Sequence, residues 1–244
     1  MQVEVRFFAT LRDRARIDRA RIELDDGATV AALLQRLAER FPALGPSLES
    51  TLVAVNEEYA FADQALHEGA GGGPFPPVSG GADSGWPEHF AITPDPLDVD
   101  AIIAHITRPE TGAVCVFTGA VRGVTLKERA QQDTDHLLYE AYAPMAERKL
   151  QQVAREMRER FPKVQGIAIV QRIGRLEVGE TTVLVACASG HRNDGVFEAA
   201  HFGIDRLKEI VPVWKKEVGP DGSAWVEGSY HPTHDDVEGP PPRP

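Results

Sequence analysis

The stretch Gly69-Ala-Gly-Gly-Gly-Pro-Phe-Pro-Pro-Val-Ser-Gly-Gly-Ala-Asp-Ser-Gly-Trp-Pro87 decides how the chain is organised. Nothing this rich in Gly and Pro continues a helix or a central strand. It divides the 244 residues into pieces of about 80 and about 160, each able to hold a core, the first near the lower limit. The boundaries read from it are a first domain over 1–81, a second over 82–230, and a Pro-, Asp- and His-rich tail over 231–244 expected to be disordered. No internal repeat is found.

The first piece reads β-α-β. Val3, Val5 and Phe7 alternate with polar neighbours, the period of a half-buried strand. Arg19 to Leu24 is a second strand, ended by Asp25-Asp26-Gly27. Thr29 is the natural N-cap of a helix reaching Arg40, with Leu33, Leu34 and Leu37 on one face. Leu52 to Val55 is a third strand with a turn at Asn56. The second piece predicts a helix over 97–106, a strand over 113–117, a mobile polar loop over 123–135 and a strand over 137–142. A helix from Pro144 to Arg160, strands over 164–171 and 181–188, and a helix over 195–209 follow. The class is α+β, not a helical bundle.

A net charge of −11 argues against nonspecific nucleic-acid binding, which needs clustered Lys and Arg. No apolar run approaches the roughly 20 residues of a membrane span, and the N-terminus does not read as a signal peptide. A cytoplasmic enzyme is the default expectation. Cys115 and Cys187 are too few for a disulfide scaffold or a multi-cysteine zinc site, and both sit mid-strand as small core residues. His231 and His234 read as tail solvation rather than ligands, and no metal-ligand spacing or resident cofactor is expected. Gly71-Gly72-Gly73 lacks the Lys-Ser/Thr of a phosphate loop. Basic residues are 20 Arg and 6 Lys, none of the lysines before residue 127, yet Lys208, Lys215 and Lys216 fall within nine positions. That clustering is either chance on a helix end or a need for amines, which can lose a proton where guanidinium cannot.

Pro76-Pro77-Val78-Ser79-Gly80-Gly81 is a stiff, side-chain-poor arm reaching about 20 Å, either a plain linker or a tail built for a narrow channel. With the β-grasp-like piece before it and Val55-Asn56-Glu57-Glu58-Tyr59, it resembles the small subunit of molybdopterin synthase. That subunit is a ubiquitin-like sulfur carrier whose terminal glycine becomes a thiocarboxylate. The second piece resembles the large, catalytic subunit, with its α/β hammerhead-like fold. The matching segments are Phe117 to Arg122, Tyr139 to Tyr142 with Met145-Ala146, Arg172-Ile173-Gly174 through Val178-Gly179-Glu180, Ser189 to Arg192, Leu207-Lys208, Pro212 to Glu217, and Gly222 with Trp225. The whole resembles a fusion of the two subunits.

The resemblance implies transfer of sulfur to cyclic pyranopterin monophosphate, precursor Z, forming the molybdopterin dithiolene. It maps the two active-site lysines onto Lys208 and Lys215, and the carrier terminus onto Gly81. Arg122, His191 and Arg192 suit phosphate and pterin contacts, since guanidinium grips phosphate bidentately. Arg122 as a strand cap and His191-Arg192 as a plain turn stay open as structural alternatives. Two amines facing each other would ease deprotonation of one of them. Lys216, next to Lys215 on the same strand, is expected on the other face, with a secondary substrate-binding role. Trp214 and Trp225 read as packing, Glu140 and Tyr142 as fold or subunit contacts. The implied partners are an enzyme that adenylates and sulfurates Gly81, a processing protease, and a second copy joined through the catalytic domain.

Three features depart from the family pattern. Gly81 is joined to Ala82 by a peptide bond, so a thiocarboxylate requires cleavage there. Ala70-Gly71-Gly72-Gly73-Pro74 stands where carriers have an apolar strand. Five residues separate His191 from Phe197, one more than in the family pattern. The competing reading is a non-catalytic carrier or binding fusion, or a catalytic half served by a separate carrier.

Overall fold

The computed structural model describes residues 1–48, 50–68, 85–127, 130–226 and 230–237. The chain forms two compact units, Met1–Val78 with His231–Pro244, and Ser79–Tyr230.

In the first unit β1 (Gln2–Arg6) pairs antiparallel with β2 (Arg19–Glu23), register Gln2↔Glu23 to Arg6↔Arg19. The alternation read from the sequence buries Val3 and Ile22. Between the strands lies α1 (Ala9–Ala15), a short helix the sequence reading passed over. Next comes α2 (Val30–Arg40), where the Thr29 hydroxyl accepts from the Ala32 N–H at 3.4 Å. Val30, Leu33 and Leu37 line its buried face, and Leu34 lies at the edge. A 3-10 turn (Pro42–Leu44) and α3 (Gly45–Leu48) swing Leu44 and Leu48 into the same core, which also takes Phe7 and Leu66. The strands β3 (Val53–Val55) and β4 (Glu58–Ala60) form a hairpin whose Asn56 and Glu57 both have positive φ, 52° and 65°. Such a tight turn matches the right-handed strand twist. Glutamate in place of the usual glycine at its second position hid β4 from the sequence reading.

The second unit is built on a four-stranded sheet in the order β5 (Glu88–Thr93), β10 (Val164–Arg172), β12 (Thr181–Ser189), β6 (Ala113–Ala120). β5 runs parallel to β10, and the other pairs are antiparallel. β10 and β12 are buried almost throughout, which explains their unbroken apolar runs, Ile167–Val170 and Val183–Ala188. One sheet face carries Ala168, Val170, Leu184, Ala186 and Ala188 against Ile102 and Ile106 of α4 (Val99–Ile106). The other lies beneath α5 (Ala143–Arg160) and α6 (Val196–Ile210), where Gly203 lets α6 settle onto Met157 and Val185. A second sheet, β11 (Gly174–Glu177), β9 (His136–Ala141), β13 (Val213–Gly219) and β14 (Gly222–Val226), is antiparallel throughout. The α+β class anticipated from the sequence is the class observed.

Two expectations need correction. The 123–135 stretch is not a plain loop: β7 (Val124–Lys127) and β8 (Ala130–Asp133) pair as a hairpin. Its polar composition conceals this backbone pairing, and the described side chains of Val124, Gln132 and Asp133 are exposed. The 231–244 tail is not disordered over 231–237. There Pro232 and Asp236 are buried and His234–Asp236 form a 3-10 turn within the first unit. Residues 238–244 lie outside the described residues, as do the Gly-Pro stretch 69–84 and Gly81.

The tightest packing is backbone on backbone. A Cβ on Gly166 of β10 would stand 2.0 Å from the Ile106 carbonyl oxygen at the end of α4. Gly166→Ala is expected to lower unfolding free energy by about 1–3 kcal/mol, because α4 must withdraw from the sheet. Urea denaturation followed by circular dichroism checks this, and an unchanged midpoint refutes it.

Candidate active site

The pairing of β6 with β12 sets the geography of the charged residues. Thr181 faces Ala120 at one end of the pair, and Ser189 faces Ala113 at the other. Arg122 follows β6, so it belongs to the Thr181 end. It is exposed, while Val121 beside it is buried and pinned by hydrogen bonds with Gly179 and Glu180. His191 and Arg192 follow β12, so they belong to the Ser189 end. β12 spans nine residues, which separates the two ends by about 26 Å. One chain therefore does not bring Arg122 together with His191 and Arg192, although all three were grouped as substrate contacts from the sequence.

α6 returns along β12 from the Ser189 end, touching Val185 at Gly203, and finishes at Ile210. Lys208, in its last turn, thus lies toward the Thr181 end and points to solvent. Among the described residues, neither Lys208 nor Arg122 makes a hydrogen bond or ion pair. Lys215 lies on β13 opposite Tyr139 of β9. The side chain of Thr182 lies beside the Tyr139 phenol, and the Thr182 hydroxyl donates to the Gly119 carbonyl at 3.3 Å. That chain of contacts ties Lys215 to the same end of β12 as Arg122 and Lys208.

Strand alternation puts Lys215, Glu217 and Tyr139 on one face and Lys216 on the other. Lys215 Nζ is 3.3 Å from Glu217 Oε1, with side chains 31% and 12% exposed. The neighbour that meets Lys215 is thus a carboxylate, not the second amine suggested by the lysine spacing. Burial pushes the Tyr139 phenol up, opposed by the Thr182 contact and reinforced by Glu217. Lys216 stacks on the Trp225 ring at 5.4 Å, which gives Trp225 the packing role read from the sequence and keeps Lys216 apart from Lys215. The sequence reading passed over Glu217 and Thr182 as neighbours of this cluster; the i, i+2 spacing of Lys215 and Glu217 on one strand was the available signal for the first.

At the Ser189 end the loop is held by its own backbone. The Ser189 hydroxyl donates to the His191 carbonyl at 2.9 Å, and the Asp194 N–H donates to the same oxygen at 2.9 Å. Gly112 is obligatory beneath it, since a Cβ there would stand 2.3 Å from the Gly190 carbonyl oxygen. The Asn193 N–H donates to His191 Nδ1 at 3.2 Å, so the neutral ring carries its proton on Nε2. Nε2 in turn lies 3.3 Å from Arg192 Nη1, so the imidazole and the guanidinium stand side by side at the exposed edge of the loop.

A protein of Halalkalibacterium halodurans named molybdopterin synthase catalytic subunit is 43% identical over 139 residues, covering 57% of this chain and 85% of the relative. The chain belongs to the molybdopterin synthase catalytic subunit family. Residues 92–210 match the family described as MoaE protein, and residues 5–81 match the ThiS family. The chain is thus a fusion of a small-subunit domain and a catalytic-subunit domain. The Bacillus subtilis relative of the same name is 41% identical over 57% of this chain and 85% of its own length. The crystal structure of molybdopterin synthase from Staphylococcus aureus superposes with a TM-score of 0.52 at 42% identity, covering 57% of this chain and 96% of that one.

Among the described residues no three His, Cys, Asp or Glu side chains gather as a metal site, and no helix is long and apolar enough to cross a membrane. Cys115 and Cys187 face each other within the β6–β12 pair, two residues from its Ser189 end. Burial pushes the Cys187 thiol up to about 12 and also raises that of Cys115. Thiolate is the reactive form. Iodoacetamide at pH 8 is therefore expected to leave Cys187 unmodified in the folded protein and to modify it in 6 M guanidinium; rapid labelling of the native protein would contradict this burial.

Proposed function

We propose that the chain is a working molybdopterin synthase. In this reading it transfers sulfur from a thiocarboxylate at Gly81, formed after cleavage of Gly81–Ala82, to precursor Z. The observation that carries this is the succession of a ThiS-family domain and a MoaE domain in one chain. It favours a self-supplied sulfurtransferase over a non-catalytic carrier fusion. The adenylation that activates Gly81 requires a partner enzyme, since the chain has no complete phosphate loop.

The roles follow from the two charged ends. Lys208 and Lys215 act on the reacting atoms. Lys215, held against Glu217, keeps a proton available at Nζ for the oxygen that sulfur displaces, and Lys208 offers an unencumbered amine from the facing helix end. Arg122 contributes positive charge at the same end. His191 and Arg192 hold the phosphate with their paired donors. Lys216, on the far face, contributes little.

Because the two ends are about 26 Å apart along β12, a complete site requires two copies. The catalytic domain would pair so that His191 and Arg192 of one copy meet Arg122, Lys208 and Lys215 of the other. That arrangement makes the homodimer a catalytic necessity.

Intact mass spectrometry on protein from its native host tests the processing. A fragment ending at Gly81, part of it heavier by one sulfur-for-oxygen exchange, is expected; an active preparation of only uncut chain refutes it. Lys208→Ala and Lys215→Ala should each lower precursor conversion about 10²- to 10⁴-fold, and Lys216→Ala less than tenfold. Retained conversion in both of the first two variants overturns the catalytic assignment. For the shared site, mixing inactive Lys215→Ala and Arg192→Ala chains should restore about a quarter of wild-type activity, since half the dimers are mixed and each has one intact site. No restoration after subunit exchange refutes the pairing.

A further inference from the structure

We propose that residues 231–237 form a strap that keeps the carrier domain attached to the chain after the junction over 69–84 is cut. The strap's consequence rests on the processing proposed above; its seat on the carrier domain does not.

The segment follows the catalytic domain in sequence but belongs to the first unit. Chain ends fray unless something ties them down, and here the ties can be named. The His234 ring lies 3.9 Å, centroid to centroid, from that of Phe61, inclined by 35°. Asp236 is 2% exposed. Its Oδ2 accepts from the Thr233 N–H at 2.6 Å and from the Thr233 hydroxyl at 3.2 Å. Pro232 is buried as well. A segment of seven residues cannot bury a proline and a carboxylate against itself, so the covering surface is supplied by the domain that holds it.

The seat is rigid. Phe61 opens a segment fastened to the start of α2: the Ala31 N–H donates to the Ala62 carbonyl at 2.9 Å, and the Val30 N–H to the Gln64 carbonyl at 3.0 Å. The Leu66 N–H donates to the Ala28 carbonyl at 2.8 Å, and Leu66 is 2% exposed in the carrier core. The strap therefore docks on a surface formed by the carrier's own fold. The polypeptide passes between the units twice, near 78 and near 230. Cutting the first passage leaves the second, and the carrier stays linked to the catalytic chain through contacts rather than covalent bonds. A tethered carrier re-engages at high effective concentration, while its freed glycine end can still be offered to an activating enzyme.

The test replaces part of 70–80 with a specific protease site, cuts the purified protein, and follows the two fragments by size-exclusion chromatography. It reads attachment alone, so it stands whatever the outcome for catalysis or natural processing. The cut protein with residues 231–244 present should keep its carrier, and a chain ending at Tyr230 should release at least tenfold more of it. A second variant, Phe61→Ala with Asp236→Ala, should release the carrier while thermal unfolding of the isolated fragment stays cooperative. Equal retention with and without residues 231–244, or separation of the fragments in the unaltered chain, overturns the strap.

Discussion

Burial of β10 and β12 on both faces is the constraint from which the catalytic domain follows. A strand pair with no solvent face needs helices on both sides. α4 covers the alanine-rich side and α5 with α6 the other. Small residues set how near the helices come, alanines beneath α4 and Gly203 within α6. Because this layer is close-packed, the ends of β12 are fixed points. Arg122, His191 and Arg192 follow from the strand ends, while Lys208 sits in the last turn of α6 and Lys215 on β13 of the second sheet.

Much of this was legible in the sequence, because buried strands and amphipathic helices announce themselves by composition. The runs at 164–171 and 181–188, the Thr29 cap and the Pro144 helix start all correspond to observed elements. What escaped was structure whose signal is weak or tertiary. β5 is a half-buried edge strand, α1 spans only seven residues, and the β7–β8 ribbon is polar. The motifs offered a set of candidate residues without a geometry, and only strand register shows that His191 and Arg122 stand at opposite ends of β12. Glu217 escaped because Lys215 was weighed against other amines, whereas alternation placed a carboxylate beside it.

The two charged ends divide the chemistry sensibly. The Ser189 end offers donors fixed by backbone hydrogen bonds, suited to an anion that must be held still. The Thr181 end offers amines of contrasting character, one paired with a carboxylate and one free of contacts among the described residues. Brought together from two copies, as proposed above, these basic groups would repel one another unless an anion lay between them.

The discontinuity of the first unit bears on how the protein is made. Synthesis delivers the β-grasp residues first and the segment that closes on Phe61 only after the whole catalytic sequence. During translation the carrier domain can assemble its core but lacks this later piece. A chain interrupted before residue 231 would therefore carry an uncovered carrier surface at Phe61.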